Sequence, residues 1–289
     1  MFTDDSVTPP RLEALVDLVR SMAARKFTAA TAKDLLQPEG LPGLSKSSNQ
    51  AAVTLSAARQ LGLIDEAADG QIVLVRPRDK RPTRDIIIDA LDERVLAARD
   101  VEPWFALFYA YLLGRDGSAA PGRGGEWEVA FNQDVVRGAA VSNRFNATKY
   151  TGLRRWMRYA GLGWHDGSDI FHPNPYERLR RKLPEIFGRA GRLEASDFMA
   201  RLAAVCPELD GGALFLEANP DHDERVRRCT AGLSHALVDL HLDGFLRLDC
   251  PPDSAGWSIA AAEPPMDDVS LRAERVAAVE FPGPAGVSP

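Results

Sequence analysis

The sequence predicts an α+β fold that is mainly helical, with small β-hairpins set among the helices. Three observations predict it. Apolar residues recur at three- and four-residue spacing in several segments, the pattern of a helix with one buried face. Composition is that of an ordinary globular chain, 45% hydrophobic and 26% charged over 289 residues, enough for two or three domains. Finally, one phrase is written three times: LSAARQLGLIDEAADGQIVLV at 55–75, RRWMRYAGLGWHDGSDIFHP at 154–173, and LVDLHLDGFLRLDCPPDSAGWSIA at 237–260. In each copy an amphipathic helix meets a glycine (Gly62, Gly161, Gly244), then an apolar strand, a polar loop containing glycine, and a second apolar strand. A helix with one hairpin cannot bury both apolar faces, so each copy needs preceding helices to complete a core.

Taken in order, residues 1–10 read as a leader ahead of a first domain at 11–76. Leu12, Leu15, Val16, Val19 and Met22 trace the first helical stripe. Thr28 or Thr31 opens a second helix through Leu36, and the proline- and glycine-rich stretch 38–43 stops it. Ser47, Ser48 or Asn49 caps a third helix to Leu61, and strands at 63–64 and 71–75 flank a turn at Asp69-Gly70. Residues 77–85 read as a linker over the Pro-rich basic stretch RPRDKRPTR at 76–84, a solvated connection or a basic arm on phosphate.

A second domain is expected at 86–173. Ile86, Ile87, Ile88, Leu91, Val95 and Leu96 suit a buried helix. Trp104, Phe105 and Phe108 belong to the most apolar run of the chain, 104–113, a helix covered on several sides by neighbouring domains or a partner. Residues 115–125 read as a loop, 126–131 as a strand and 133–139 as a short helix. In the helix at 148–160, Leu153, Trp156, Met157 and Ala160 share one face while Arg154, Arg155 and Arg158 fall largely on the other. Leu162 and Trp164 begin a strand, 165–169 turns, and Ile170-Phe171 return.

The third domain, 174–260, starts with a basic helix at 176–187, with Pro184 a candidate break. Ser196 is expected to cap a helix at 197–205, residues 213–216 to form a strand, and 230–242 the third repeated helix, with its hairpin at 245–248 and 257–260. The tail, 261–289, is rich in Pro, Ala and Gly and expected to be partly disordered, with one candidate helix at 271–279.

Net charge is −6, unevenly spread. Residues 143–192 carry seven more Lys and Arg than Asp and Glu, whereas 193–289 carry ten more acids than bases. Arg144, Lys149, Arg154, Arg155, Arg158 and His165 are therefore candidates for nucleic-acid contact, or for ion pairs with the acidic third domain. Lys46, Ser47, Ser48, Asn49, Gln50, Thr54 and Arg59 make a polar start to the third helix that either reads bases or caps the helix. Asp239 and Asp243, on the same helix as His241, would repel phosphate, which points them to protein contact.

Catalytic signals are missing from the sequence. There is no GxxxxGK followed by Ser or Thr and no GxSxG elbow, so a non-enzyme without cofactor is expected. Cys206, Cys229 and Cys250 are odd in number and widely spaced, and with His222, His235 and His241 they show no CxxC or HExxH spacing. No apolar run reaches the ~18 residues of a membrane span, and the acidic start MFTDDSVTPPRLE is unlike a secretory signal, so a cytoplasmic protein with no membrane partner is expected.

The repeated helix, glycine and hairpin resemble the winged-helix superfamily over most of residues 11–260, which implies three tandem winged-helix domains. Size, the stretch LLQPEGLPGL ahead of the third helix and the lack of catalytic motifs further resemble the DpdG family. That resemblance implies a non-enzymatic component of bacterial clusters that insert deazapurine bases into DNA and restrict foreign DNA. The reading is then an adaptor in DNA processing or phage (antiviral) defence. Its partners would be DNA, through the middle domain, and a larger protein subunit such as an ATPase, helicase or nuclease. Two other readings stay open: an adaptor similar to the winged-helix subunits that bind kleisins in chromosome-organising complexes, and a stand-alone transcription regulator with a discrete operator.

Overall fold

The computed structural model describes residues 7–23, 25–38, 49–97, 101–115, 126–136, 144–165, 170–222, 227–251, 256–259 and 275–283. Helices dominate, with small antiparallel sheets among them. Contacts divide the chain into two units, Met1–Pro103 with Thr148–Trp156, and Trp104–Ala147 with Met157–Pro289.

In the first unit, α1 (Pro9–Ser21) starts with proline, whose missing N–H costs nothing in a first turn, and buries Leu12, Leu15, Val16 and Val19. Thr28 caps α2 (Ala29–Leu36) by accepting from the Thr31 N–H at 3.3 Å. The third helix, α3 (Gln50–Gln60), buries Ala51, Leu55, Ala57 and Ala58 against α1 and α2. Gly62 at φ 66° then turns the chain into β1 (Ile64–Glu66), which pairs with β2 (Ile72–Leu74) with Ile64 opposite Leu74. The Ile72 N–H donates to the Phe27 carbonyl at 2.7 Å, tying β2 to the segment before α2. Next come α4 (Thr83–Leu91), packed on α1, and a π-helical turn, Asp92–Ala97. Trp156 is fully buried and donates from Nε1 to the Val7 carbonyl at 3.2 Å.

The second unit is centred on aromatic residues of α5 (Pro103–Leu113) and α6 (Glu126–Asp134). Phe131 lies edge-on to Phe108 at 5.1 Å and to Tyr111 at 5.0 Å, and Phe145 stacks on Phe108 at 4.6 Å. From the end of α7 (Ala147–Tyr159), β3 (Gly163–His165) pairs with β4 (Phe171–Pro173), and α8 (Tyr176–Phe187) follows. The remaining elements are β5 (Arg192–Glu194), α9 (Ala195–Val205), α10 (Ala213–Ala218), α11 (Ala231–Leu242), β6 (Arg247–Asp249), β7 (Trp257–Ser258), β8 (Arg275–Val276) and β9 (Ala278–Glu280).

Several expectations are corrected. The alternation in EWEVAF suggested a strand, but Val129 is 56% exposed while Phe131 is buried, and the segment is helical as α6. Residues 213–216 begin α10, which buries Leu214, Phe215 and Ala218, one face of a helical turn. Pro184 does not divide α8 and is itself exposed. The cap position before α9 is Glu194, ahead of Ser196.

The third copy departs most. Strands β6 and β7 do not pair with each other. Instead β9, from the tail, lies between β5 and β6, with Val279 opposite both Leu193 and Leu248, and β7 pairs with β8. The described part of 271–279 is thus mostly strand, β8 and the start of β9, with Val276, Ala278 and Val279 buried.

Candidate functional site

In the second unit a cleft of about 400 Å3 opens where β3 begins, α8 starts and α11 ends. Gly161 and Gly163 line it where the chain leaves α7. A Cβ on Gly163 would stand 2.2 Å from the His172 carbonyl oxygen, so only glycine lets β3 lie so close to β4. Trp164, next along, pairs across the hairpin with His172 on the face opposite the buried Phe171. It is 49% exposed and stacks on His172 with rings 5.6 Å apart.

Polar groups converge on this cleft from three elements. Asn174 is 8% exposed, and its Oδ1 accepts the Tyr176 N–H at 2.9 Å, which orients the side-chain amide. The Tyr176 hydroxyl donates to Asp243 Oδ2 at 2.5 Å. Burial, with the Asp243 bond adding to it, pushes this phenol up to about 12, so it stays a donor at neutral pH. Glu177 takes the Arg180 guanidinium at 2.9 and 3.2 Å, and Arg180 also lies 5.5 Å over the Phe245 ring. Asp239 and Asp243 stand exposed at the end of α11, one turn apart, beside the exposed Leu242. Carboxylates, an indole face and an apolar patch together suit a cationic side chain with an aliphatic stem, a lysine or arginine of another protein.

Two predicted partner residues, Asp239 and Asp243, therefore come together in the cleft. Trp104 is half-buried, 6.3 Å from Phe131 edge-on, while Phe105 and Phe108 are wholly buried and build the aromatic core, so they offer no surface to a partner. Sequence reasoning missed Trp164, Asn174, Tyr176 and Leu242. The signal that could have found Trp164 is its place on a short hairpin, on the face away from Phe171.

The basic candidates fall on and near α7. In the first unit, Arg154 and Arg155 are half-buried, with the Arg154 guanidinium 5.4 Å from the Tyr150 ring. Burial lowers the Lys149 ammonium from its usual value, with the Glu102 charge opposing. In the second unit, Arg144 and Arg158 are exposed, and His165 is half-buried against Phe171 at 5.2 Å.

Around the polar start of α3, two of the expected side chains are engaged within the protein. Lys46, Ser47 and Ser48 lie outside the described residues, and Asn49 is exposed without a side-chain capping bond. Thr54 is buried and donates to the Gln50 carbonyl at 2.7 Å, and Arg59 pairs with Glu66. In the basic linker, Arg81 bridges Asp79 at 2.8 Å and Asp89 at 2.6 Å, and its side-chain and backbone bonds to Asp79 hold that carboxyl down at about 2. Among the described residues, no three His, Cys, Asp or Glu side chains gather as a metal site, and no helix is long and apolar enough to cross a membrane.

A family model described as DpdG-like matches residues 2–254. No curated protein and no solved structure matches the chain.

Proposed function

The chain belongs to the DpdG-like family, and from that premise we propose that it is a non-enzymatic accessory subunit of a bacterial DNA-processing or phage-defence assembly. In this reading tandem winged-helix units form the framework, α7 contacts nucleic acid, and the acidic cleft of the second unit holds a larger protein subunit. The observation that carries the partner role is the convergence of Asp239, Asp243, Tyr176 and Trp164 on one cleft. Support for a winged-helix framework comes from the order α1, α2, α3, β1, β2, three helices closed by a hairpin. The DNA role rests on the cationic side chains of α7, whose phosphate contacts would position the complex without reading sequence.

Fluorescence anisotropy with duplex and single-stranded DNA across a salt series tests the DNA half, using the protein and a variant with Arg154, Arg155 and Arg158 changed to Glu. Binding that weakens with salt and disappears in the variant supports α7 on phosphate, because released counterions make affinity salt-dependent. No binding by either protein at low salt would overturn it and favour the adaptor reading in which these units grip protein alone.

A further inference from the structure

The acidic cleft of the second unit contains a donor that the described residues leave unanswered. Asn174 is 8% exposed, and because its Oδ1 takes the Tyr176 N–H, the two hydrogens on its Nδ2 point elsewhere. Among the described residues Nδ2 has no acceptor, and the atom is not sealed from solvent. Since Asn174 lines the cleft, this amide gives onto it. A nearly buried donor forfeits much of its hydration, so it marks a place for an acceptor from outside.

The rest of the cleft repels anions. Among the described residues Asp239 makes no ion pair or side-chain hydrogen bond, and Asp243 has only Oδ2 engaged, by the Tyr176 hydroxyl. Glu177 is paired with Arg180 at 2.9 Å. The acceptor that answers Asn174 must therefore be uncharged and arrive with a cation. A main-chain carbonyl beside a basic side chain supplies both from one short piece of polypeptide.

A guanidinium meets the site better than an ammonium. Asp239 and Asp243 stand one turn apart on α11 and so present two separate carboxylates. A guanidinium offers them five donors in a planar fork, whereas an ammonium is a compact point charge. His172 covers one side of Trp164 at 5.6 Å, and the indole is still 49% exposed, which leaves a face for a planar cation to stack on. The exposed Leu242 gives the aliphatic stem an apolar rest.

Resting on the reading that this cleft holds the larger subunit, we propose that its occupant is an arginine within a polypeptide segment of that subunit. The guanidinium lies on Trp164 and bonds Asp239 and Asp243, and a main-chain carbonyl next to it accepts from Asn174 Nδ2.

Isothermal titration calorimetry of the full chain tests this with the blocked peptide acetyl-Gly-Ser-Arg-Ser-Gly-amide, its lysine and citrulline counterparts, and n-butylguanidine, which has the guanidinium and a stem but no carbonyl. The arginine peptide is expected to bind about tenfold more tightly than the citrulline peptide, and at least about threefold more tightly than the lysine peptide or butylguanidine. Asp239→Asn, at an exposed position, should weaken the arginine peptide by about tenfold. Asn174→Asp keeps the acceptor for the Tyr176 N–H and removes both donors. The arginine peptide should then lose its advantage over butylguanidine, although the added charge draws both cations. Equal binding of the arginine and citrulline peptides would overturn the proposal. So would butylguanidine as tight as the arginine peptide, or an unchanged advantage in Asn174→Asp. A lysine peptide that binds as tightly would overturn the arginine and leave the cleft a site for a basic partner. No binding by any of the four ligands at about 10 mM would overturn both the arginine and the cleft's role in holding a partner.

Discussion

Arg178 Nε, on α8, donates to Glu208 Oε1 at 2.9 Å in a site where both side chains are wholly shut away from water. Burying two charges is costly, and removing one partner strands the other. Glu208→Gln or Arg178→Met alone should destabilise the protein by about 3–5 kcal/mol, and the double change Arg178→Met with Glu208→Leu by clearly less than the sum. Urea unfolding of the three variants reads the coupling, and additive losses would show that the two charges do not depend on each other.

Asp210 predicts a pH dependence. Burial raises its carboxyl to about 6, although the Thr230 N–H and hydroxyl donate to it at 2.6 and 2.9 Å and pull the other way. Its folded-state value lies above the unfolded one, so the stabilising contribution of the protonated form is complete below about pH 4. It is lost as pH rises through 6. Thermal melts should show stability falling over that window by an amount on the order of 2 kcal/mol. Asp210→Asn, which can accept the Thr230 N–H through Oδ1 and donate from Nδ2 to the Thr230 hydroxyl, should flatten the slope, and an equally steep slope in the variant would exclude Asp210 as its source.

Gly163→Ala should cost about 1–3 kcal/mol, because the new Cβ meets backbone that has little room to move. Differential scanning calorimetry gives the size. A change within 0.5 kcal/mol would mean that β3 and β4 can separate freely.

A chain ended after residue 274 loses β8 and β9. It should expose Leu193 and Leu248, now beside Val279, and Phe187, now stacked on Phe281 at 5.2 Å. More dye binding to exposed apolar surface and earlier proteolytic cleavage near β5 are expected. An unchanged digestion pattern would show β9 to be dispensable.

Much of the local structure was legible in the sequence because local physics decides it. Gly62, Gly161 and Gly244 do end helices, all at positive φ, and the stripes on α1 and α7 bury the side chains their spacing indicated, save Met22, which is half-buried just past α1. Pairing over distance was not legible. Leu248 and Val279 each announce a buried strand face, but nothing in their neighbourhoods says which strand lies alongside, and the nearest candidate, β7, was the wrong one. EWEVAF misled because alternation marks a strand only when every second residue is buried, and Val129 is not. At the cleft, charge gave Asp239 and Asp243. Asn174 and Tyr176 could not be read, since their roles arise from a hydrogen bond across 67 residues and from burial.

The position of β9 also orders events in time. Arg192 at the start of β5 meets Glu280, 88 positions further along the chain, at 2.6 Å, so the three-stranded sheet cannot close until residue 280 has been made and has found its slot. Closing so long a loop is entropically uphill before any contact repays it, and such pairings are slow. The hairpins β1–β2 and β3–β4 need no such wait. During synthesis the chain therefore passes through an interval in which Leu193 and Leu248 lack a cover, and a chaperone would find its hold there.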